Sequence, residues 1–159
     1  MPAEFVDTNI LVYAYDRTAG RKNELARELM ERLWDSGDGV LSTQVLQEFH
    51  VTVTRRIPQP ISPGRAREII ADLGTWTVAL LETPDVLKAS ELGERYRLNF
   101  WDALILAAAR KEDARIVWSE DLSHGQKYEG IVVRNPFSLD PMVREREARW
   151  RRARRRPPA

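Results

Sequence analysis

Apolar residues along this chain fall into short blocks that alternate between a strand period and a helix period. Glu4-Phe5-Val6 precedes the polar Asp7-Thr8-Asn9, and Ile10-Leu11-Val12-Tyr13-Ala14-Tyr15 follows. That order predicts a strand, a turn and a short helix, because Asp, Thr and Asn all favour helix N-caps. Leu25, Leu29 and Leu33 recur every four residues, with Ala26, Met30 and Trp34 beside them. They predict an amphipathic helix over residues 22–34, ended by the Ser and Gly of residues 35–39. Val40-Leu41-Ser42 reads as a strand. Thr43 is then expected to cap a helix with Val45, Leu46, Phe49 and Val53 on one face.

Residues 57–63 hold three prolines and are expected to be loop. A helix is predicted over 64–73, a strand over 76–81, and a helix from Thr83-Pro84-Asp85 to residue 96. Residues 103–109 are apolar on every side, so that helix should be buried, starting at or just after Asp102. Residues 115–118 and 131–133 predict the last strands. Strands alternating with helices imply an α/β fold with a central parallel sheet, right-handed crossovers and helices on both faces. No internal repeat is present.

Composition narrows the chemistry. The chain has 159 residues, 43% apolar and 31% charged, which suits one globular domain. No apolar run is long enough to span a membrane, and the N-terminus lacks the basic and apolar regions of a signal peptide, so a cytosolic protein is expected. Cysteine is absent and there are two histidines, His50 and His124. Disulfides, thiolate chemistry and zinc–thiolate sites are thereby excluded. A metal would be held mainly by oxygen, which points to Mg²⁺ or Mn²⁺.

Charge is uneven. Residues 144–159 carry eight Arg and two Glu, a net +6, which leaves −5 of the overall +1 on residues 1–143. The division expected is a globular body over 1–143 and a basic Arg-rich tail over 144–159. The pattern leaves that tail open between a disordered, solvated segment and one that engages RNA phosphates or an acidic partner.

Open parallel sheets bind ligands beyond the carboxyl ends of their strands. Asp7 and Asp121 both follow predicted strands, Asp102 begins the buried helix, and Glu48 borders an apolar helix face. Each acid alone has a structural explanation as a cap, a turn former or a solvated side chain. Together they would repel one another by about 3 kcal/mol per pair at roughly 5 Å and an effective dielectric near 20. Such a cluster persists at neutral pH by holding protons or cations. Metal-assisted phosphodiester hydrolysis follows as the natural chemistry.

Four segments carry a resemblance: Phe5-Val6-Asp7-Thr8-Asn9-Ile10-Leu11, Gln44-Val45-Leu46-Gln47-Glu48-Phe49, Asn99-Phe100-Trp101-Asp102-Ala103-Leu104-Ile105, and Trp118-Ser119-Glu120-Asp121-Leu122 with Gly125-Gln126. In this order and spacing they resemble the acidic motifs of PIN-domain ribonucleases, and the chain's size resembles the VapC toxins of VapBC toxin–antitoxin pairs. The resemblance implies a Mg²⁺- or Mn²⁺-dependent endoribonuclease. Asp7 and Asp102 would be the principal metal ligands, Asp121 would complete the site directly or through water, and Glu48 would bind metal or orient the attacking water. Thr8, Asn9 and Ser119 would hold the acids in place. Glu120 rivals Asp121, since adjacent extended residues point opposite ways; the motif favours Asp121. The resemblance also implies a VapB-type antitoxin and a homodimer.

Other residues near these motifs have plainer expectations. His124 is expected on the loop surface, with contact to a phosphate near Asp121 as its alternative. Trp101 is expected to pack, with stacking on an RNA base as its alternative. Arg17, Arg21 and Lys22 flank Gly20 and could steer RNA. Two rival readings differ in class. A haloacid-dehalogenase-like phosphatase would use an Asp after the first strand as nucleophile, yet its pattern wants a second Asp where Asn9 stands. A non-catalytic RNA- or protein-binding module would leave the acids without chemistry.

Overall fold

Phe5 and Val6 of β1 (Glu4–Val6) are fully buried, because this strand lies at the centre of the sheet. The structure is a computed structural model that describes residues 2–138 and 140–155. After β1 come α1 (Thr8–Tyr15), α2 (Arg21–Ser36), β2 (Gly39–Ser42), α3 (Thr43–Arg55), α4 (Pro63–Leu73), β3 (Thr77–Ala79), α5 (Thr83–Tyr96), α6 (Phe100–Lys111), β4 (Ile116–Trp118), β5 (Lys127–Tyr128), β6 (Ile131–Arg134) and α7 (Pro141–Arg154). A short 3-10 turn, Arg17–Ala19, joins α1 to α2.

The strand order is β3-β2-β1-β4-β6-β5. Every pairing is parallel except β5 with β6. The α/β expectation therefore holds, with one antiparallel edge added. That edge, Lys127–Tyr128, is a two-residue strand whose hairpin turns at Gly130 with φ +85°, too short to leave a period in the sequence. Right-handed crossovers place the helices. Moving outward from β1 to β3 puts α1 to α4 on one face; the return from β3 to β4 puts α5 and α6 on the other. Packing agrees, with α1 against α2 and α3, α3 against α4, and α5 against α6.

α6 is buried from Ala103 through Ala109, as its uniform apolarity requires. Its start differs from expectation: Asn99 is the cap, its side chain accepting from the Asp102 backbone N–H, so Asp102 lies a turn inside the helix. Two other caps also shift by one residue. Ser42 rather than Thr43 caps α3, and Glu82 rather than Thr83 caps α5 in a capping box with Asp85. In each case the residue just upstream has the extended backbone that a cap needs.

Not every buried acid belongs to a site. Glu4 lies inside β1, where Arg32 grips both of its oxygens at 2.9 Å and Trp118 Nε1 donates at 2.9 Å. These partners hold its carboxyl below the usual range. Among the described residues, no helix is long and apolar enough to cross a membrane.

The basic segment forms a helix as far as Arg154, with its exposed positions beginning at Arg144. Val143 alone of its described side chains joins the core. Residues 156–159 of the expected tail lie outside the described residues.

Candidate active site

The strand order sets where a ligand can sit. β2 and β3 continue from one side of β1, and β4 continues from the other. Between β1 and β4 the crossovers diverge to opposite faces, which opens a crevice at the carboxyl ends of the strands. Asp7 leaves β1 at that point, and Ser119, Glu120 and Asp121 leave β4. α3 brings Glu48 from one face and the first turn of α6 brings Asp102 from the other.

All four predicted acids line one cavity of about 300 Å³, with Thr8, Asn9, Gln44, Asn99, Trp101 and Ile105. A wider groove of about 640 Å³ continues from Thr8, Asn9, Glu48 and Asp121 along Val12, Tyr13, Val51 and Arg56. The polar residues of the four segments bind one another. Asp7 Oδ1 accepts from Thr8 N at 2.7 Å, and Asp7 Oδ2 accepts from Ser119 Oγ at 2.7 Å. Asn9 Nδ2 donates to Asp121 Oδ2 at 3.0 Å and more weakly to Asp7 Oδ2 at 3.4 Å. Thr8 Oγ1 donates to Glu48 Oε2 at 2.8 Å. Ser119 Oγ also accepts from Asp121 N at 3.2 Å, closing a turn after β4.

Electrostatics in this cavity run against ionisation. Asp7 is 5% exposed, and burial pushes its pKa up to about 7. Its bonds from Ser119 and Thr8 oppose the rise, while the charges of Asp121 and Asp102 add to it. Asp102 is also raised, first by burial, with Asp121 and Glu48 contributing against a bond from Asn99. A nearby cation reverses both effects by favouring the charged carboxylates.

The donor set fits a hard cation. It consists of carboxylate oxygens, and Gln44 Oε1 in the same wall is buried with no hydrogen-bond partner among the described residues. Among the described residues, no three Asp, Glu or His side chains form a cluster that would hold a metal ion by themselves. Mg²⁺ does not need one, since it keeps several waters and takes one or two carboxylates plus phosphate oxygens.

Glu120 and Asp121 point apart. Asp121 lines the cavity, whereas Glu120 accepts from Tyr13 Oη at 3.0 Å and pairs with Lys22 Nζ at 2.9 Å. His124 lies outside the acidic cavity, and its Nδ1 accepts from Asn135 N at 2.9 Å. Arg21 and Lys22 are on α2 and already paired: Arg21 with Glu24 and Asp140, Lys22 with Glu120 and Glu147. Trp101 departs from its packing expectation. It is 62% exposed at the cavity, edge-on to Phe100 with ring centroids 5.3 Å apart.

Three residues of the network were not singled out from sequence. Asn99 donates to Asp102 Oδ2 at 2.8 Å while capping α6. Gln44 donates to Glu48 Oε1 at 2.9 Å. Tyr13 holds Glu120 away from the cavity. The first two had a local signal: Asn99 precedes Asp102 by the cap spacing, and Gln44 precedes Glu48 by one helical turn. Tyr13 and Glu120 are 107 residues apart, and no local pattern links them.

The family model of the PIN domain matches residues 5–129. No curated protein matches the chain. Among solved structures, a toxin–antitoxin complex from Klebsiella pneumoniae is similar, with a TM-score of 0.63 and 20% identity over 86% of this chain and 100% of that one. VapC20 of Mycobacterium tuberculosis, described as a sarcin–ricin loop cleaving toxin, has a TM-score of 0.57 and 22% identity, covering 75% and 90%. DNA-bound VapBC of Salmonella typhimurium has a TM-score of 0.61 and 15% identity, covering 86% and 99%. At these identities the likeness is one of fold.

Proposed function

The chain belongs to the PIN domain family, and from that premise we propose that it is a divalent-metal-dependent endoribonuclease, the toxin of a VapBC-type pair. The observation that carries this reading is the single acidic cavity at the β1–β4 crevice, with Asp7 buried and its pKa raised to about 7. Asp7 and Asp102 are the principal ligands of a Mg²⁺ or Mn²⁺ ion, Asp121 completes the site, and Glu48 binds the ion or orients water. When bound, the ion supplies positive charge to the phosphodiester oxygens and makes water a stronger nucleophile.

The protein's own groups hold this arrangement. Ser119 and the Thr8 backbone fix Asp7. Thr8 and Gln44 each occupy one oxygen of Glu48, so that carboxylate has a set direction in which to receive a proton from water. Asn9 spans Asp7 and Asp121. The exposed Trp101 ring offers a nucleobase a stacking surface beside Asp102. An antitoxin with a basic segment would complement this cavity electrostatically, and the fold's likeness to toxin–antitoxin complexes supports such a partner.

The test is substitution of Asp7→Asn and Asp102→Asn, with cleavage of total RNA and growth arrest on expression as readouts. Each variant should remain folded by circular dichroism, lose growth inhibition and lose at least about 100-fold in cleavage rate, the loss expected when a few kcal/mol of charge stabilisation is removed. Sequencing the RNA ends would identify the target. Full cleavage by both variants would refute the nuclease assignment.

A further inference from the structure

α7 lies beyond the family match, which ends at residue 129. Its contacts fall on two faces, with Glu147 at the border between them. Val143 is buried, Glu147 reaches Lys22 at 3.6 Å, and a cavity of about 260 Å³ separates Arg146, Glu147 and Trp150 from Ala19, Arg21 and Lys22. Lys22 also holds Glu120, the neighbour of Asp121. One lysine thus ties the helix to the loop that lines the acidic cavity. Arg144, Arg151, Arg152 and Arg155, with Glu147 and Ala148 between them, line a groove of about 340 Å³, and the four arginines are exposed. From Arg144 to Arg155 they cover roughly 16 Å at the helical rise.

This surface is anomalous as a free helix. Residues 144–159 contain eight Arg and no Lys. Arg151, Arg152, Arg154 and Arg155 include like-charge neighbours three and four residues apart, each of which opposes the helix. Among the described residues, the one ion pair within α7 is Arg149 with Glu145, and Arg154 lies over the Trp150 ring. A polyanion would relieve the repulsion, and planar guanidinium groups suit phosphate better than ammonium groups do. The rest of the chain carries −5, so its body repels RNA while its crevice is read as acting on RNA.

We propose that α7 and the residue just past its end form a phosphate clamp: Arg144, Arg151, Arg152 and Arg155 bind the backbone of single-stranded RNA and feed it toward the cavity of Asp7, Asp102 and Asp121. The proposal rests on the nuclease reading for the direction of feeding, whereas the clamp itself is tested by binding. The experiment measures affinity of the full-length Asp7→Asn protein, with and without Arg151→Gln, Arg152→Gln and Arg155→Gln together, for a single-stranded RNA oligonucleotide across a salt series. All three arginines are exposed, so the fold should persist.

Loss of three phosphate contacts should lower the slope of log affinity against log salt by about 2 and weaken binding at least about tenfold near 0.1 M salt. With Asp7 intact, the triple variant should raise KM for long RNA and leave kcat on a short oligonucleotide unchanged. An unchanged salt slope overturns the clamp, including the case in which the triple variant instead loses affinity for an acidic protein. The two readings fail differently. A reduced slope with cleavage insensitive to Asp7→Asn sinks the nuclease and keeps the clamp; an unchanged slope with Asp7-dependent cleavage does the reverse.

Discussion

At the scale of single residues, Asp7 bears the strongest conflict between burial and charge. Its folded pKa of about 7 exceeds the ordinary 3.8, so between those values the unfolded chain ionises while the folded protein stays protonated. In the metal-free protein the stability owed to this carboxyl is fully present below pH 3.8 and is lost as pH rises to about 7. The loss reaches about 4 kcal/mol at most. Asn cannot titrate, so in EDTA the urea midpoint of Asp7→Asn should gain on that of the parent as pH goes from 5 to 7, then level off. A constant difference across that range would show that Asp7 is not desolvated as described.

Elements matter here because each acid is presented by the end of a strand or a turn of a helix. The first turn of α6 does two tasks through one residue, since Asn99 caps the helix and donates to Asp102. Asn99→Ala should cost about 1 kcal/mol of stability and also slow cleavage, because Asp102 loses its orienting amide. Asn99→Ser restores a capping oxygen without that amide. Its urea midpoint should return to near the parent value while kcat stays low. Recovery of both together would mean that Asn99 acts on cleavage only through helix stability. β2 shows a different constraint. Gly39 lies under the Trp76 ring, which occupies the space a Cβ would need, so this position accepts no side chain without moving the aromatic.

Across the whole molecule, the sheet topology brings together groups that are otherwise incompatible. Four carboxylates share one crevice, and the cation that would neutralise them should bind the folded chain and not the unfolded one. Mg²⁺ or Mn²⁺ at about 100 times its dissociation constant should stabilise the parent by about 2.7 kcal/mol, a rise in Tm of about 5 to 10 °C for a domain this size. Asp7→Asn should show little of that rise. An equal rise in both proteins would place the ion elsewhere. The same molecule separates its charge, with an acidic crevice on the sheet and an arginine surface on α7.

The order of elements and the burial of α6 could be read from the chain, because period and capping are local properties written over a few residues. The candidate acids could be read too, but only as members of four familiar segments; spacing alone left each with a structural explanation. The fold decided what depends on distant neighbours. It brought Asp7, Glu48, Asp102 and Asp121 to one cavity, turned Glu120 to Tyr13 and Lys22, and exposed Trp101. It also turned the Arg-rich segment into a helix anchored on α2. These outcomes rest on pairings between distant parts of the chain, such as Asn9 with Asp121 and Ser119 with Asp7, each 112 residues apart. Their energies come from burial and charge that exist only once the crossovers have closed.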